Sequence, residues 1–216
     1  AVLLGGTILY GGVTSEKPLG ESLGTFALVQ RSEPVEYVQS MDREVEIFRN
    51  YAKESMDAYA RAGEKIDAVV WPESMFTGGN PWMLADKDAA APPSPPGVAP
   101  LSPTDLQKGV TESREYFQQR ATHLLNALSL ASPSVPPPHL IVGSGVVHYR
   151  EHPYVYSGVV SIDPDGAVDD WYGKTHLVMF GEYVPLIPHI PVLRSLVPPG
   201  LGVTVGPGPR RFHVGE

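Results

Sequence analysis

Cysteine is absent from all 216 residues. That gap excludes disulfides, thiolate-held metal sites and a cysteine nucleophile within the chain. Basic runs are missing as well. With a net charge of −8 and a pI near 5.3, the chain lacks the electrostatic footprint of a nucleic-acid binder. The apolar, uncharged opening from Ala1 to Val13 is shorter than the about 20 residues a membrane-spanning helix needs. It has no basic residues before it, so it does not read as a signal peptide. No internal repeat is present.

What is there suits a folded domain. Hydrophobic residues make up 42% of the chain, enough for a packed core at this length and too many for disorder. Glycine (22) and proline (23) are abundant and clustered, so they mark loops between ordered elements. Residues 76–103 hold one such cluster, including Pro92-Pro93-Ser94-Pro95-Pro96, and read as an irregular insertion loop. That loop is either a variable insertion or a lid, with Phe76, Trp82, Met83 and Leu84 offering apolar surface. Residues 185–209 hold a second cluster, either a packed connection or a membrane-facing segment.

Between these loops, strands and helices alternate. Thr25 to Gln30 and Ile66 to Trp71 are short apolar runs of the kind that form buried strands. Met41, Val45, Phe48, Ala52, Met56 and Tyr59 recur at three- and four-residue intervals, which predicts a helix over 40–62 with Ser40 capping its start and Gly63 its end. Phe117, Ala121, Leu124 and Leu128 predict a second helix over 111–131. His139 to Tyr149 and Tyr154 to Asp163 read as strands. Asp163-Pro164-Asp165-Gly166 is a tight turn into a further strand ending near Trp171. Arg210 to Val214 looks like the start of one more. The class is α/β.

The chemistry concentrates in two places. Glu73 follows Trp71-Pro72, where proline ends the strand by removing a donor, so the carboxylate emerges at a strand's carboxyl end. Lys174 and Glu182 stand eight residues apart in Tyr172-Gly173-Lys174-Thr175-His176-Leu177-Val178-Met179-Phe180-Gly181-Glu182-Tyr183-Val184-Pro185. Opposite charges amid so many apolar and aromatic side chains are costly to desolvate unless they meet each other or a substrate.

These residues carry a resemblance. Trp71-Pro72-Glu73-Ser74 and the lysine segment, read together and in this order, resemble the glutamate and lysine motifs of the nitrilase (carbon–nitrogen hydrolase) superfamily. Gly-Glu-Tyr-Val-Pro is most similar to its apolipoprotein N-acyltransferase branch, with Met179 standing where proline is usual. The resemblance implies a four-layer α-β-β-α sandwich of which only the N-terminal part is present, residues 21–216. Residues 1–20 would be the end of a membrane helix or a linker. It also implies that Glu73 is a general base, Lys174 an oxyanion stabiliser and Glu182 a supporting carboxylate. The nucleophile would be a cysteine lying beyond Glu216, so this chain alone would be inactive. The implied reaction moves an acyl chain from a phospholipid to the N-terminal amine of a lipid-modified lipoprotein, without metal or organic cofactor. The implied location is the bacterial inner membrane, periplasmic side, with no nucleic-acid partner.

Two other readings stay open: a soluble amidase or nitrilase, and a non-catalytic module that keeps the fold and binds lipid or protein. Other candidate sites are weaker. His148, His152 and His176 are too loosely spaced for a metal centre. Gly143-Ser144-Gly145 fits neither a nucleophile elbow nor a dinucleotide loop, and a close backbone crossing accounts for it.

Overall fold

The computed structural model describes residues 24–33, 40–89, 91, 101–178, 182 and 203–214. In chain order these form β1 (Phe26–Leu28), α1 (Met41–Ala62), β2 (Ala68–Trp71), β3 (Trp82–Ala85), α2 (Pro103–Ala131), β4 (His139–Tyr149), β5 (Pro153–Ile162) and β6 (Val168–Gly173). The sheet runs β1-β2-β4-β5-β6, with β3 also paired to β4. β1, β2 and β4 are parallel neighbours, whereas β5 and β6 return antiparallel. The α/β class read from the sequence holds: a mixed sheet with flanking helices. Among the described residues, one sheet layer and one helical layer are formed.

β4 is the central support. Its first half pairs with β2 (Ala68 opposite His139, Trp71 opposite Val142) and its second half with β3 (Trp82 opposite Val146). Both lie along the same edge, so the chain from Pro72 to Pro81 crosses the gap between them beside Gly143, Ser144 and Gly145. Strand alternation sorts β4 into two faces. Leu140, Val142, Ser144 and Val146 are buried on one face, joined by Val69 and Trp71 of β2 and by Tyr156, Val160 and Ile162 of β5.

Both helices pack on that face. Tyr51, Ser55 and Tyr59 of α1 are buried at four-residue spacing, and Phe117, Ala121, Leu124 and Leu128 of α2 at three- and four-residue spacing. Trp71 joins the layers, its ring 5.3 Å from Tyr51 and 5.5 Å from Phe76, its Nε1 donating to Ser55 Oγ at 2.9 Å. Each fully buried large apolar side chain contributes about 1.5–3 kcal/mol relative to exposure, so this face dominates the stability. On β1, Phe26 and Leu28 point the other way and stand 49% and 76% exposed.

Several expectations need correction. The stripe on α1 is rotated: Met41 is 81% exposed and Val45 43%, while Ser55 is fully buried. Ser55 is admitted because its hydroxyl donates to the Tyr51 carbonyl (2.8 Å) and accepts from Trp71, so it carries no unpaired group into the core. The helix α2 starts eight residues earlier than its periodicity suggests, at Pro103. Ser102 caps it by accepting from Asp105 N at 3.1 Å, and Pro103 occupies the first turn, where no donor is missed. The segment 76–103 is not irregular throughout, because Trp82–Ala85 forms β3. Arg210 to Val214 forms no strand. The stretches 1–20 and 185–202 lie outside the described residues.

The caps of α1 and the turn before β6 form as expected. Ser40 accepts from Arg43 N, and Gly63 closes α1 at φ 65°. The turn before β6 is closed by Gly166 N donating to Asp163 O at 3.0 Å, with Gly166 at φ 89°.

Candidate functional site

Glu73 leaves β2 immediately after Pro72, and its backbone presses on β4. A Cβ on Gly143 would lie 2.5 Å from Glu73 Cα and closer still to the Pro72 carbonyl, so only glycine permits this crossing. The next residue, Ser74, holds φ 62°, the left-handed region that non-glycine residues enter at a cost. Beyond it the loop is tied to both helices. Arg120 of α2 donates to the Phe76 carbonyl (2.5 Å), Thr77 Oγ1 pairs with Ser144 Oγ (2.8 Å), and Gly79 N donates to Glu44 Oε1 of α1 (3.0 Å). Phe76 itself is fully buried. The glutamate therefore stands on a fixed platform, although its own side chain is 58% exposed.

Lys174 arrives from the other side of the sheet's centre. It follows the last residue of β6, and its amide donates to the Ser157 carbonyl of β5 at 2.8 Å. Its carbonyl accepts from Gly206 N at 2.9 Å. A Cβ on Gly206 would collide with the Gly173 carbonyl, so this strand-like approach of residues 203–206 requires glycine there. Glu182 closes the constellation. Its Oε1 accepts from Lys174 Nζ at 2.8 Å and its Oε2 from Val178 N at 2.7 Å. Glu73 Oε2 lies 4.0 Å from the same ammonium, and Glu73 Oε1 accepts from Ser157 Oγ at 2.5 Å. The three residues singled out in the sequence thus converge on one spot.

The pair's electrostatics follow from these bonds. The hydrogen bond to Glu182 raises the Lys174 pKa above its ordinary value; desolvation opposes this, and the negative charges of Glu73 and Glu182 reinforce it. The bond from Lys174, then that from Val178 N, lowers the Glu182 pKa. Lys174 is therefore a permanent cation at neutral pH, held by Glu182 with Glu73 Oε2 4.0 Å away on its other side. Such a pairing can take a proton at Glu73 and stabilise negative charge developing near Lys174.

His148, His152 and His176 have other partners. His148 Nε2 meets Asp86 Oδ1 at 2.7 Å, His152 lies against Glu151 and Tyr154, and His176 Nδ1 meets Thr175 Oγ1 at 3.1 Å. Among the described residues, no group of three or more His, Asp or Glu could hold a metal ion. Also among them, no helix is long and apolar enough to cross a membrane. Sequence reasoning missed Ser157 and Gly206. Nothing in their local pattern distinguishes a strand serine or a loop glycine from many others. Gly143, by contrast, was legible as a close crossing.

No family model matches the chain. Among solved structures it is similar to an amidase from Nesterenkonia sp., with a TM-score of 0.41 and 13% identity, over 90% of this chain and 52% of that one. It is also similar to a carbon–nitrogen hydrolase from Helicobacter pylori G27, with a TM-score of 0.37 and 14% identity, over 71% and 40%. An apolipoprotein N-acyltransferase of Rhodopirellula baltica is 41% identical over an alignment 216 positions long that covers 98% of this chain and 38% of that protein. The chain is therefore a homologue of apolipoprotein N-acyltransferase that spans little more than a third of that relative's length and contains no cysteine.

Proposed function

We propose that this chain carries the base, the cation and the supporting carboxylate of an N-acyltransferase of the nitrilase superfamily. The donor is a phospholipid acyl ester, and the acceptor is the N-terminal amine of a lipid-modified lipoprotein. The thiol comes from outside these 216 residues. The enzyme works at the periplasmic side of the bacterial inner membrane. One observation supports this reading above the rest: Lys174 Nζ sits 2.8 Å from Glu182 and 4.0 Å from Glu73, in a homologue of an enzyme bearing that name.

The steps balance with these groups. Glu73 takes the thiol proton, because the thiolate is the reactive form. The thiolate attacks the acyl carbonyl, and the resulting oxyanion lies against the Lys174 ammonium. The C–O bond breaks, and Glu73 returns its proton to the departing lysophospholipid alkoxide. The acceptor amine then attacks the thioester and gives up a proton to Glu73. Collapse of the second tetrahedral intermediate releases the amide and the thiolate, which recovers the proton from Glu73. Glu182 keeps Lys174 charged and pointed throughout.

The test uses membranes expressing the complete reading frame that encodes this chain, with a labelled phospholipid and a diacylated lipopeptide as substrates. Glu73→Gln and Lys174→Met are expected to abolish lipopeptide acylation, and Lys174→Met to prevent a hydroxylamine-labile acyl-enzyme. Full acylation by both variants would overturn the proposal. The missing cysteine favours a second reading, a non-catalytic binding module. That reading gains if the complete reading frame acylates nothing yet retains lipopeptide.

A further inference from the structure

We infer that Ser157 is a positioning residue that selects which oxygen of Glu73 serves as the base; this rests on the acyl-transfer reading above. Ser157 lies on β5 one residue before Gly158, the last position paired with β6. Its own carbonyl is therefore free of β6 and takes the Lys174 amide at 2.8 Å. Its hydroxyl donates to Glu73 Oε1 at 2.5 Å. One residue thus holds both reacting groups, the lysine through its main chain and the glutamate through its side chain.

Geometry gives this contact a consequence. Glu73 is 58% exposed, and its side chain has no other hydrogen-bond donor within reach among the described residues except the ammonium 4.0 Å away. With Oε1 occupied by Ser157, Oε2 is the oxygen left towards Lys174 and the incoming proton. Gly145, opposite Ser157 on β4, leaves the sheet surface beneath without a side chain. Removing the hydroxyl lets the carboxylate swing into water or close onto Lys174 as a contact ion pair. Either movement takes the base away from where a thiol must meet it.

The experiment compares Ser157→Thr with Ser157→Val in the complete protein, since the two side chains match in size and differ in the hydroxyl. Ser157→Ala serves as a third variant. Val and Ala are expected to lower kcat on the order of 10- to 100-fold, the effect of one hydrogen bond to a charged group. KM for the phospholipid should stay within about twofold, because the contact does not bind substrate. Thr should restore most of the rate. Thermal melts of Thr and Val variants should coincide, separating positioning from folding. Parental kcat in both Val and Ala variants, or equal losses in Thr and Val, overturns the inference. If Glu73→Gln is inactive in the same assay, the acyl-transfer reading survives that outcome. If Glu73→Gln is fully active, that reading falls and this one falls with it.

Discussion

Gly143 and Glu73 touch through their backbones: the space a Cβ would need at residue 143 is filled by Glu73 Cα, 2.5 Å away. A Cβ on Gly145, two residues along the same face, would meet only Pro81 among the described residues, at 3.4 Å. Ala at 143 must therefore push the base off the sheet, whereas Ala at 145 meets an ordinary contact. Gly143→Ala is expected to destabilise by about 1–3 kcal/mol and to remove most of the acyl transfer. Gly145→Ala should leave both near parental values. Chemical denaturation and the lipopeptide assay, run on the pair, check this.

Glu182 does two things at once, pairing with Lys174 and accepting from Val178 N. Glu182→Gln keeps an oxygen acceptor but removes the charge. The Lys174 pKa should then fall back towards 10.5, its ordinary value. The acyl-enzyme should form more slowly, because the cation is less firmly aimed. An NMR titration of the lysine side chain reads the first effect and single-turnover kinetics the second. An unchanged lysine titration would contradict the pairing.

The same pair sets a pH dependence whose sign is fixed. Glu182 is shifted below its ordinary value of 4.5, so its contribution is present above pH 4.5 and lost as pH falls through the lower, folded value. Lys174 is shifted above 10.5, so its contribution is present below pH 10.5 and lost as pH rises through the folded value. The stability gap between the parent and Glu182→Gln should be level between about pH 6 and 9 and shrink outside the two limits. Both side chains keep some contact with water, so the gap should also narrow with added salt. Urea midpoints across pH at two ionic strengths measure it.

Among the described residues, Arg120 is the most buried charged side chain. Its guanidinium lies 4.5 Å from the Phe48 ring centre and 5.0 Å from that of Tyr116, and it holds the Phe76 carbonyl. Burial lowers its pKa, so the charge is tolerated there only with these partners. Arg120→Met fills similar space but leaves the carbonyl unpaired. A loss of about 1–3 kcal/mol is expected, read by denaturant midpoint. The Glu73 loop should loosen with it, seen as faster amide exchange at Thr77 and Gly79.

The sequence displayed those parts of the fold whose physics is local. Ser40 and Gly63 bracket α1 because a hydroxyl cap and a left-handed glycine are features of single residues. The long strands β4 and β5 announce themselves by β-branched residues and a turn with an evident mechanism. β3 was hidden, since four apolar residues among prolines and glycines carry no period, and only pairing with Val146 to Tyr149 makes them a strand. The stripe on α1 was misplaced because hydropathy counts Met41 as core and Ser55 as surface, blind to the Trp71 donor that makes Ser55 welcome inside. At the site, the three charged residues were legible from motif and spacing. The serine between them was not, because its role exists only once β4, β5 and the loop after β2 are brought together.

The main-chain bond from Val203 N to Glu182 O, at 3.0 Å, has a consequence for how this architecture tolerates change. It brings the exit and the return of the intervening chain together at the backbone of Glu182, the residue whose side chain is the lysine's counterion. Whatever is inserted or deleted between those two residues starts and finishes at the same doorway. Any change of length between them must bring those two ends back together if the ammonium and its carboxylate are to keep their register.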